Sequence, residues 1–183
     1  MSLNTRQRTF IGYLLSLAQE GKEDRGALSD LRSGLGKEPG EMARVHKHVA
    51  PYLPEKRYDD RWYYVIATLF GSFPQHQKGR SFGEAFGPLR QKSASMEARF
   101  IGVLSAHPDD LDSHLRHAVS LLEANARPLD WFRLFEDLLH WDDPERRVQL
   151  QWARDFYRTD AEQPASAADA EGDQTSKQEE DHE

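Results

Sequence analysis

The sequence predicts an all-α protein of about eight or nine helices. Apolar residues recur at intervals of three and four along nearly every segment, which places them on one face of a helix. No segment shows the strict alternation of apolar and polar residues that is typical of a strand. Ser, Asp or Pro stands where most of these patterns begin, and Gly or Pro stands where they end. We therefore expect short, separately capped helices that pack into two helical-bundle subdomains.

The first half of the chain predicts four helices, each with its own end signals. In chain order they are Phe10 to Leu17 with an end near Gly21, Asp24 to Leu31 with an end at Gly34, Glu41 to Val49 closed by Pro51 and Pro54, and Trp62 to Phe70 after a cap at Asp59 or Asp60. Glycine and proline are poor residues for a helix interior, and they therefore mark where each of these helices stops.

A polar loop and three further helices follow. The loop from Pro74 to Arg80 carries no apolar pattern, and we expect it to be mobile. The helices run from Ser81 through Leu89, from Ser95 through Leu104, and from Pro108-Asp109-Asp110 through Leu122. A serine hydroxyl or an aspartate carboxylate at such a start can accept hydrogen bonds from the free amides of the first turn.

The segment from Pro128 to Arg158 predicts a helical hairpin with a basic face. Asp130 can cap its first helix, and Asp142-Asp143-Pro144 predicts the start of the second, with proline at the first helical position. Two rows lie on roughly opposite sides of this second helix. The apolar row is Val148, Trp152 and Phe156, and the polar row is Arg147, Gln151, Arg154 and Arg158. The apolar row must be buried, and the arginine row must face water or a polyanion.

The charge of the chain is unevenly distributed. The net charge is −7, but residues 160–183 hold nine acidic residues against the single basic residue Lys177, so the remainder is near neutral at +1. This end segment has no aromatic or branched aliphatic side chain, and it cannot bury enough apolar surface to offset its ordering entropy. We expect an N-terminal helical subdomain at residues 1–92, a C-terminal helical subdomain at residues 93–159 and a disordered acidic tail at residues 160–183.

Several classes of function lack support in the sequence. The chain has no cysteine, which excludes thiolate metal sites and cysteine nucleophiles, and its eight histidines do not show the spacing of metal ligands. Phosphate-binding glycine loops, dinucleotide-binding patterns, nucleophile elbows and zinc-protease signatures are absent from the sequence. No apolar run approaches the roughly 20 residues that span a bilayer. We expect a non-enzymatic cytoplasmic protein with no metal and no cofactor.

Five blocks of the sequence follow one another in a recognisable order. They are RGALSDLRSGLG from Arg25 to Gly36, GRSFGEAFGPL from Gly79 to Leu89, SMEARFIGVLSA from Ser95 to Ala106, DLDSHLRHAVSLL from Asp110 to Leu122, and the segment from PLDWFRLFEDLLHW to RRVQLQWARDFY. In order and spacing these blocks resemble the CasB family, the small subunit of the type I-E CRISPR Cascade surveillance complex. The resemblance covers residues 5–158.

The resemblance implies a non-catalytic subunit of an RNA-guided complex in antiviral defence. Such a subunit binds nucleic-acid backbone through basic helical faces, and stabilises the hybrid of crRNA and target DNA as well as the displaced strand of the R-loop. The implied partners are the crRNA, both strands of the target DNA, the backbone and large subunits of Cascade, and a second copy of the small subunit. Transferred residue by residue, the resemblance places nucleic-acid contacts on Arg32, Lys47, Arg61, Arg99, Arg116, Arg146 and Arg147.

Two alternative functions stay open at this point. The first is a stand-alone DNA-binding regulator that uses Pro128 to Arg158 as a helix-turn-helix, although the burial of Trp152 and Phe156 would leave few base-reading residues on its second helix. The second is a purely structural adaptor that contacts only protein subunits. Binding to one particular duplex sequence would favour the regulator. Full R-loop stability after charge reversal at Arg32, Arg99 and Arg116 would favour the adaptor.

Overall fold

Nine α-helices form in the part of the chain that the structure describes. The structure is a computed structural model and describes residues 2–55 and 60–158. The helices are α1 (Thr5–Leu17), α2 (Arg25–Arg32), α3 (Ala43–Val49), α4 (Asp60–Ser72), α5 (Phe82–Phe86), α6 (Ala94–Ser105), α7 (Leu111–Ala124), α8 (Trp131–Leu139) and α9 (Arg147–Arg158). Short 3₁₀ helices cover Ala50–Tyr52, Gly87–Lys92 and Pro108–Asp110. The predicted all-α class is confirmed, while the alternative cap Asp59 and the predicted tail at 160–183 lie outside the described residues.

Side-chain caps fix the first residue of several helices. A cap works because its oxygen accepts a hydrogen bond from an amide that has no partner inside the helix. The capping side chains are Asn4 for α1, Asp24 for α2, Ser81 for α5 and Asp130 for α8. The last three confirm starts that the sequence predicted.

Helix α6 begins two residues earlier than predicted. Ser95 was the expected cap, but Ser93 has the extended backbone of a cap and its hydroxyl accepts a hydrogen bond from the amide of Ser95 at 3.2 Å. The two serines are equally good caps by type, and the backbone conformation of Ser93 decides between them.

Helix α9 begins later than the proline signal predicted. Pro144 is not helical, and α9 starts at Arg147. Arg146 has a φ of 52°, in the left-handed region, which an α-helix cannot include. Asp143 still closes a turn, because its carboxylate accepts a hydrogen bond from the amide of Glu145 at 3.0 Å.

The loop from Pro74 to Arg80 is held in place, in contrast to the expected mobility. Gln77 donates its amide to the carbonyl of Leu129 at 2.9 Å, and Asp130 donates its amide to the carbonyl of Arg80 at 2.8 Å. The carboxylate of Asp130 also accepts from the amide of Gly79 at 2.7 Å. One carboxylate therefore caps α8 and fixes the loop in front of α5.

Two aromatic groups fill the core, and each joins an early helix to a late one. In the first, the ring of Tyr63 on α4 lies 4.8 Å from that of Phe135 on α8. In the second, Phe82 on α5 stacks on Trp152 of α9 at 4.4 Å, and Phe100 of α6 stacks on Phe156 of α9 at 4.0 Å. The predicted burial of the α9 apolar row is confirmed.

The predicted boundary between two subdomains at residues 92 and 93 stays a prediction. Helices from the two sides of this boundary pack on each other. Helix α8 packs on α4 and α1, and α5 packs on α9. The second contact is close enough that a Cβ on Gly83 would lie 2.3 Å from the carbonyl oxygen of Trp152. Within residues 2–55 and 60–158, no helix is both long and apolar enough to cross a membrane.

Candidate nucleic-acid interface

Two of the seven predicted contact residues, Arg61 and Arg116, line the same cleft. The cleft has a volume of about 610 Å³ and lies between the loop that follows α2, helix α4 and the start of α7. Carboxylates line it as well, from Glu38, Asp109, Asp110 and Asp112. The cleft is therefore of mixed charge, and its arginines differ in how much of their charge is balanced.

Arg61 is held by acidic neighbours. Its Nη2 donates to the carbonyl of Asp109 at 2.9 Å and to a carboxylate oxygen of Asp112 at 3.2 Å. Its guanidinium carbon also lies 5.0 Å from the ring centroid of Trp62, a cation–π distance. Since its charge and much of its hydrogen-bonding capacity are already used, Arg61 has little left for a phosphate.

Arg116 on α7 is the opposite case. It is half-buried, and its side chain has no hydrogen-bond or ion-pair partner among the residues that the structure describes. Its Nη1 lies over the backbone of Gly36, only 1.9 Å from where a Cβ on that residue would stand. The loop after α2 therefore positions this guanidinium by shape and leaves its donors free.

Arg32 is anchored where α2 and α4 approach most closely. Its Nε donates to the carbonyl of Gly71 at 3.2 Å, while the side chain as a whole is exposed. A Cβ on Gly71 would lie 2.8 Å from the amide nitrogen of Arg32, so this contact needs glycine. The terminal nitrogens of Arg32 face solvent without a carboxylate partner in the described chain.

Lys47 and Arg147 are both in ion pairs. The Nζ of Lys47 lies 2.6 Å from Asp30, and this hydrogen bond is the largest cause that lowers the pKa of the Asp30 carboxyl. Arg147 lies 2.8 Å from Glu145 and 3.2 Å from Asp143, and the hydrogen bond to Glu145 is the largest cause that raises the pKa of Arg147. Both residues are exposed, so these pairs contribute little to stability but do balance charge.

Arg99 and Arg146 are both associated with α6. Arg99 is exposed on this helix and has no side-chain partner among residues 2–55 and 60–158. Arg146 donates its Nη2 to the carbonyl of Leu104, near the end of the same helix, at 2.7 Å. A carbonyl at a helix C-terminus is a favourable site for a cation, and it leaves the positive charge uncompensated by any acid.

The seven residues thus fall into two groups. Carboxylates balance Lys47, Arg61 and Arg147, whereas Arg32, Arg99, Arg116 and Arg146 meet only carbonyl oxygens or solvent within the described residues. Only the second group keeps an unbalanced charge, which is what attracts phosphate and releases counterions from it.

Two arginines that sequence reasoning did not single out belong with the second group. Arg80 donates to the carbonyl of Pro128, and Arg127 donates to the carbonyl of Ala85, both at 3.4 Å. The pKa of Arg127 is lowered, first by burial and then by the positive charge of Arg80. No local sequence signal marks this pair, because the two residues lie on separate loops.

Two histidines of α3 have tyrosine partners. Buried His48 shares a hydrogen bond with the hydroxyl of Tyr13 at 2.6 Å, and His46 shares one with the hydroxyl of Tyr64 at 2.8 Å. Within the described residues no three His, Cys, Asp or Glu side chains are grouped so that they could hold a metal ion.

Comparison with known proteins places these features in one family. The sequence model of a family described as CRISPR-associated protein Cse2 matches residues 27–157. CRISPR-associated protein Cse2 of Thermus thermophilus is 34% identical over 166 residues, covering 88% of this chain and 96% of that protein.

Solved structures share the fold. The crystal structure of CasB from Thermus thermophilus matches with a TM-score of 0.72 at 32% identity, over 86% of this chain and 99% of that one. A chain of a CRISPR RNA-guided surveillance complex matches with a TM-score of 0.72 at 24% identity, over 84% of this chain and 92% of that one, which is a likeness of fold.

Proposed function

The chain belongs to the CRISPR-associated Cse2 family, and from this membership we propose that it is the non-catalytic small subunit of an RNA-guided Cascade surveillance complex. In this role it holds the backbone of the hybrid between crRNA and target DNA and of the displaced DNA strand, and so stabilises the R-loop in antiviral defence. Its protein partners are the backbone and large subunits and a second copy of itself. It acts in the cytoplasm and needs no cofactor.

One observation carries the nucleic-acid part of this proposal. Arg32, Arg99, Arg116 and Arg146 have no carboxylate partner among the described residues, although the chain as a whole is acidic. Unbalanced arginines attract the phosphate backbone irrespective of sequence. In RNA-guided recognition the guide reads the sequence by base pairing, so the protein needs only such backbone contacts.

The three balanced residues have a smaller part in the proposal. For Lys47, Arg61 or Arg147 to bind a phosphate, an existing pair with Asp30, Asp112 or Glu145 must first be broken or shared. We propose that they orient the loops and helices near the strand, and that the four unbalanced arginines supply most of the affinity.

The experiment compares charge-neutral variants in the assembled complex. Arg99→Gln with Arg116→Gln removes two unbalanced charges, and we expect faster R-loop decay together with a salt dependence of DNA binding reduced by about one for each residue. Arg158→Gln is the matched control, because Arg158 is also an exposed arginine but its charge is already paired with Glu84 at 2.9 Å. Unchanged R-loop lifetime in a double variant that assembles normally would contradict the nucleic-acid role.

That last outcome would favour the structural adaptor, for which the surface of α6 and α9 offers one observation. Ile101, Leu150 and Tyr157 are large apolar side chains that are 46%, 54% and 43% exposed, and they lie on α6 and α9, which pack on each other. A protein contact that covers them would need them to form one contiguous patch. Leu150→Ser separates the two roles, since it removes apolar contact and leaves every arginine in place. Loss of assembly in Leu150→Ser, with full R-loop stability in the arginine variant, would establish the adaptor.

The stand-alone regulator has less support. The polar row of α9 would have to read bases, but Arg158 lies 2.9 Å from Glu84 and Arg147 lies 2.8 Å from Glu145. Direct readout needs arginines whose forked donors are free to meet a base edge.

A further inference from the structure

Three basic side chains are fixed along the linker between α7 and α8. Lys92, at the end of the 3₁₀ helix Gly87–Lys92, donates to the side-chain oxygen of Asn125. Arg80 donates its Nη1 to the carbonyl of Pro128 at 3.4 Å. Arg127, which lies in the linker itself, donates its Nε to the carbonyl of Ala85 at 3.4 Å.

All three cations meet neutral oxygens. Within the described residues neither Arg80, Lys92 nor Arg127 has a carboxylate partner. Of the acids close in sequence to these residues, Glu84 pairs with Arg158 at 2.9 Å and with Arg133 at 3.8 Å, and the carboxylate of Asp130 accepts backbone amides. Glu123, at the exposed end of α7, pairs with none of the three cations in the described chain. The three cations around the linker therefore carry positive charge that no carboxylate in the described part of the chain pairs with.

The two arginines are close enough to repel each other. Both are half-buried, and the pKa of Arg127 is lowered first by this burial and then by the charge of Arg80. The positive charge of Arg80 disfavours the charged form of Arg127, and a bound anion would oppose this effect. Arg127 uses only its Nε for the carbonyl of Ala85, so both terminal nitrogens of its fork stay available.

The backbone that carries these side chains is rigid. The linker donates the amide of Arg127 to the carbonyl of Leu122 at 2.9 Å, and Ala126 takes a left-handed φ of 49° in that turn. The loop with Arg80 is joined to it by the hydrogen bonds of Gln77 and Asp130. Donors held in this way lose little entropy on binding, which favours recognition of an anion.

We infer that Arg80, Lys92 and Arg127 form a further phosphate-binding surface, which takes consecutive phosphodiester groups of one nucleic-acid strand. Lys92 and Arg80 contact oxygens of residues 125 and 128, whose Cα atoms are three residue steps and therefore at most roughly 11 Å apart. That span suits neighbouring phosphates along a strand better than one free phosphate ion. The inference rests on the proposed function in that the ligand is nucleic-acid backbone.

The test measures binding of the full chain to a labelled single-stranded DNA of mixed sequence at several salt concentrations. Arg80→Gln with Arg127→Gln is expected to weaken binding about tenfold, and to reduce the salt slope by roughly 0.7 for each phosphate that the variant no longer binds. Lys37→Gln is the control and is expected to change neither quantity, since the exposed ammonium of Lys37 is already paired with Glu41 at 3.6 Å.

Three other outcomes of this experiment would overturn the inference, each for a different reason. Wild-type-like binding by the double variant, with weakened binding by Arg99→Gln plus Arg116→Gln, would overturn the linker site and leave the proposed function standing. A wild-type chain that binds no strand would overturn both. If inorganic phosphate stabilises the wild-type chain against heat but not the double variant, and strand affinity is equal in both, the ligand is a free anion and the inference is wrong.

A second variant keeps the test decisive if the double variant unfolds. Lys92 is exposed, so Lys92→Gln removes a charge without emptying a buried position. Its expected effect is a salt slope smaller by roughly 0.7 with an unchanged thermal midpoint. An unchanged slope in this folded variant would count against the site.

Discussion

The guanidinium of Arg116 occupies the space that a side chain at Gly36 would need: a Cβ at position 36 would lie 1.9 Å from Nη1 and 3.1 Å from the guanidinium carbon of Arg116. Gly36 also has a φ of 76°, in the left-handed region that favours glycine. The loop after α2 thus needs glycine for two separate reasons, its own conformation and the placement of an arginine from α7.

Gly36→Ala is therefore expected to have two effects. The left-handed conformation costs the folded chain about 1 kcal/mol, and the displaced Arg116 weakens nucleic-acid binding. Thermal unfolding and strand affinity measure the two effects separately.

Gly21→Ala is the matched control for Gly36→Ala, because Gly21 has a similar φ of 74° with no atom within 4 Å of the added Cβ. It should lose comparable stability and bind normally. Equal binding by both variants would show that the position of Arg116 does not depend on Gly36.

Gly83→Ala is expected to destabilise the fold severely. The added Cβ would lie 2.3 Å from the carbonyl oxygen of Trp152 and 3.1 Å from the amide nitrogen of Phe156, which are backbone atoms of α9 and cannot rotate away. Forced separation of α5 from α9 costs on the order of 3 kcal/mol or more.

Gly12→Ala provides the comparison, since it has no atom within 4 Å of its added Cβ inside α1 and should stabilise by up to about 1 kcal/mol. Chemical denaturation of both variants checks the pair. A Gly83→Ala protein as stable as the wild type would mean that α5 and α9 do not pack as described.

Asp137→Asn is expected to stabilise the chain near neutral pH. Burial raises the pKa of Asp137 to about 6, against the opposing effect of its hydrogen bond from Trp152 at 2.6 Å. Because this pKa is higher in the folded chain than in the unfolded chain, folding binds the proton more tightly, and the resulting stability is lost as pH rises from about 4 to about 6. At pH 7 the ionised carboxylate costs on the order of 2–3 kcal/mol, which asparagine avoids.

The measurement is the free energy of unfolding of Asp137→Asn and wild type across this pH range. The difference in free energy of unfolding between the two proteins should increase as pH rises and then become constant. Asp142→Asn removes a carboxylate from an exposed side chain of the same turn region, and is the control for the loss of one negative charge. A constant gap for Asp137→Asn would show that its carboxyl titrates normally.

Removal of residues 160–183 is expected to strengthen binding of the free chain to DNA at low salt. This segment carries a charge of −8 and the rest of the chain +1, so its loss changes the sign of the net charge that a polyanion meets. The gain should vanish at high salt, where such charges are screened. A chain of equal length with the nine acids replaced by their amides is the control, and should behave like the truncated chain. Identical affinity and salt slope before and after truncation would exclude this effect.

Features that depend on neighbours in sequence could be predicted. The helix starts at Asp130 and Ser81 could be predicted because a capping side chain accepts hydrogen bonds from backbone amides only two or three residues ahead. The buried row Val148, Trp152 and Phe156 follows from helical spacing alone. The mobility predicted for the loop before α5 was wrong, because the carboxylate of Asp130 that accepts the amide of Gly79 comes from a distant part of the chain.

The candidate interface could be predicted as a set of basic residues but not as a pattern of charge. Arg61 and Arg116 look alike in sequence, yet Asp112 balances the first and nothing in the described chain balances the second. Arg80 and Arg127 come together only after α7 has returned the chain to α5. Which charges remain unbalanced is decided by tertiary contacts.

The pairing of α5 with α9 also sets an order of events during translation. Phe82 emerges from the ribosome well before Trp152, its stacking partner. At ordinary rates of synthesis of about 5–20 residues per second, the roughly 70 residues from Phe82 to Trp152 take on the order of 3.5–14 s. For that time the aromatic face of α5 stays uncovered on the nascent chain, so this part of the core is completed only once α9 has been made.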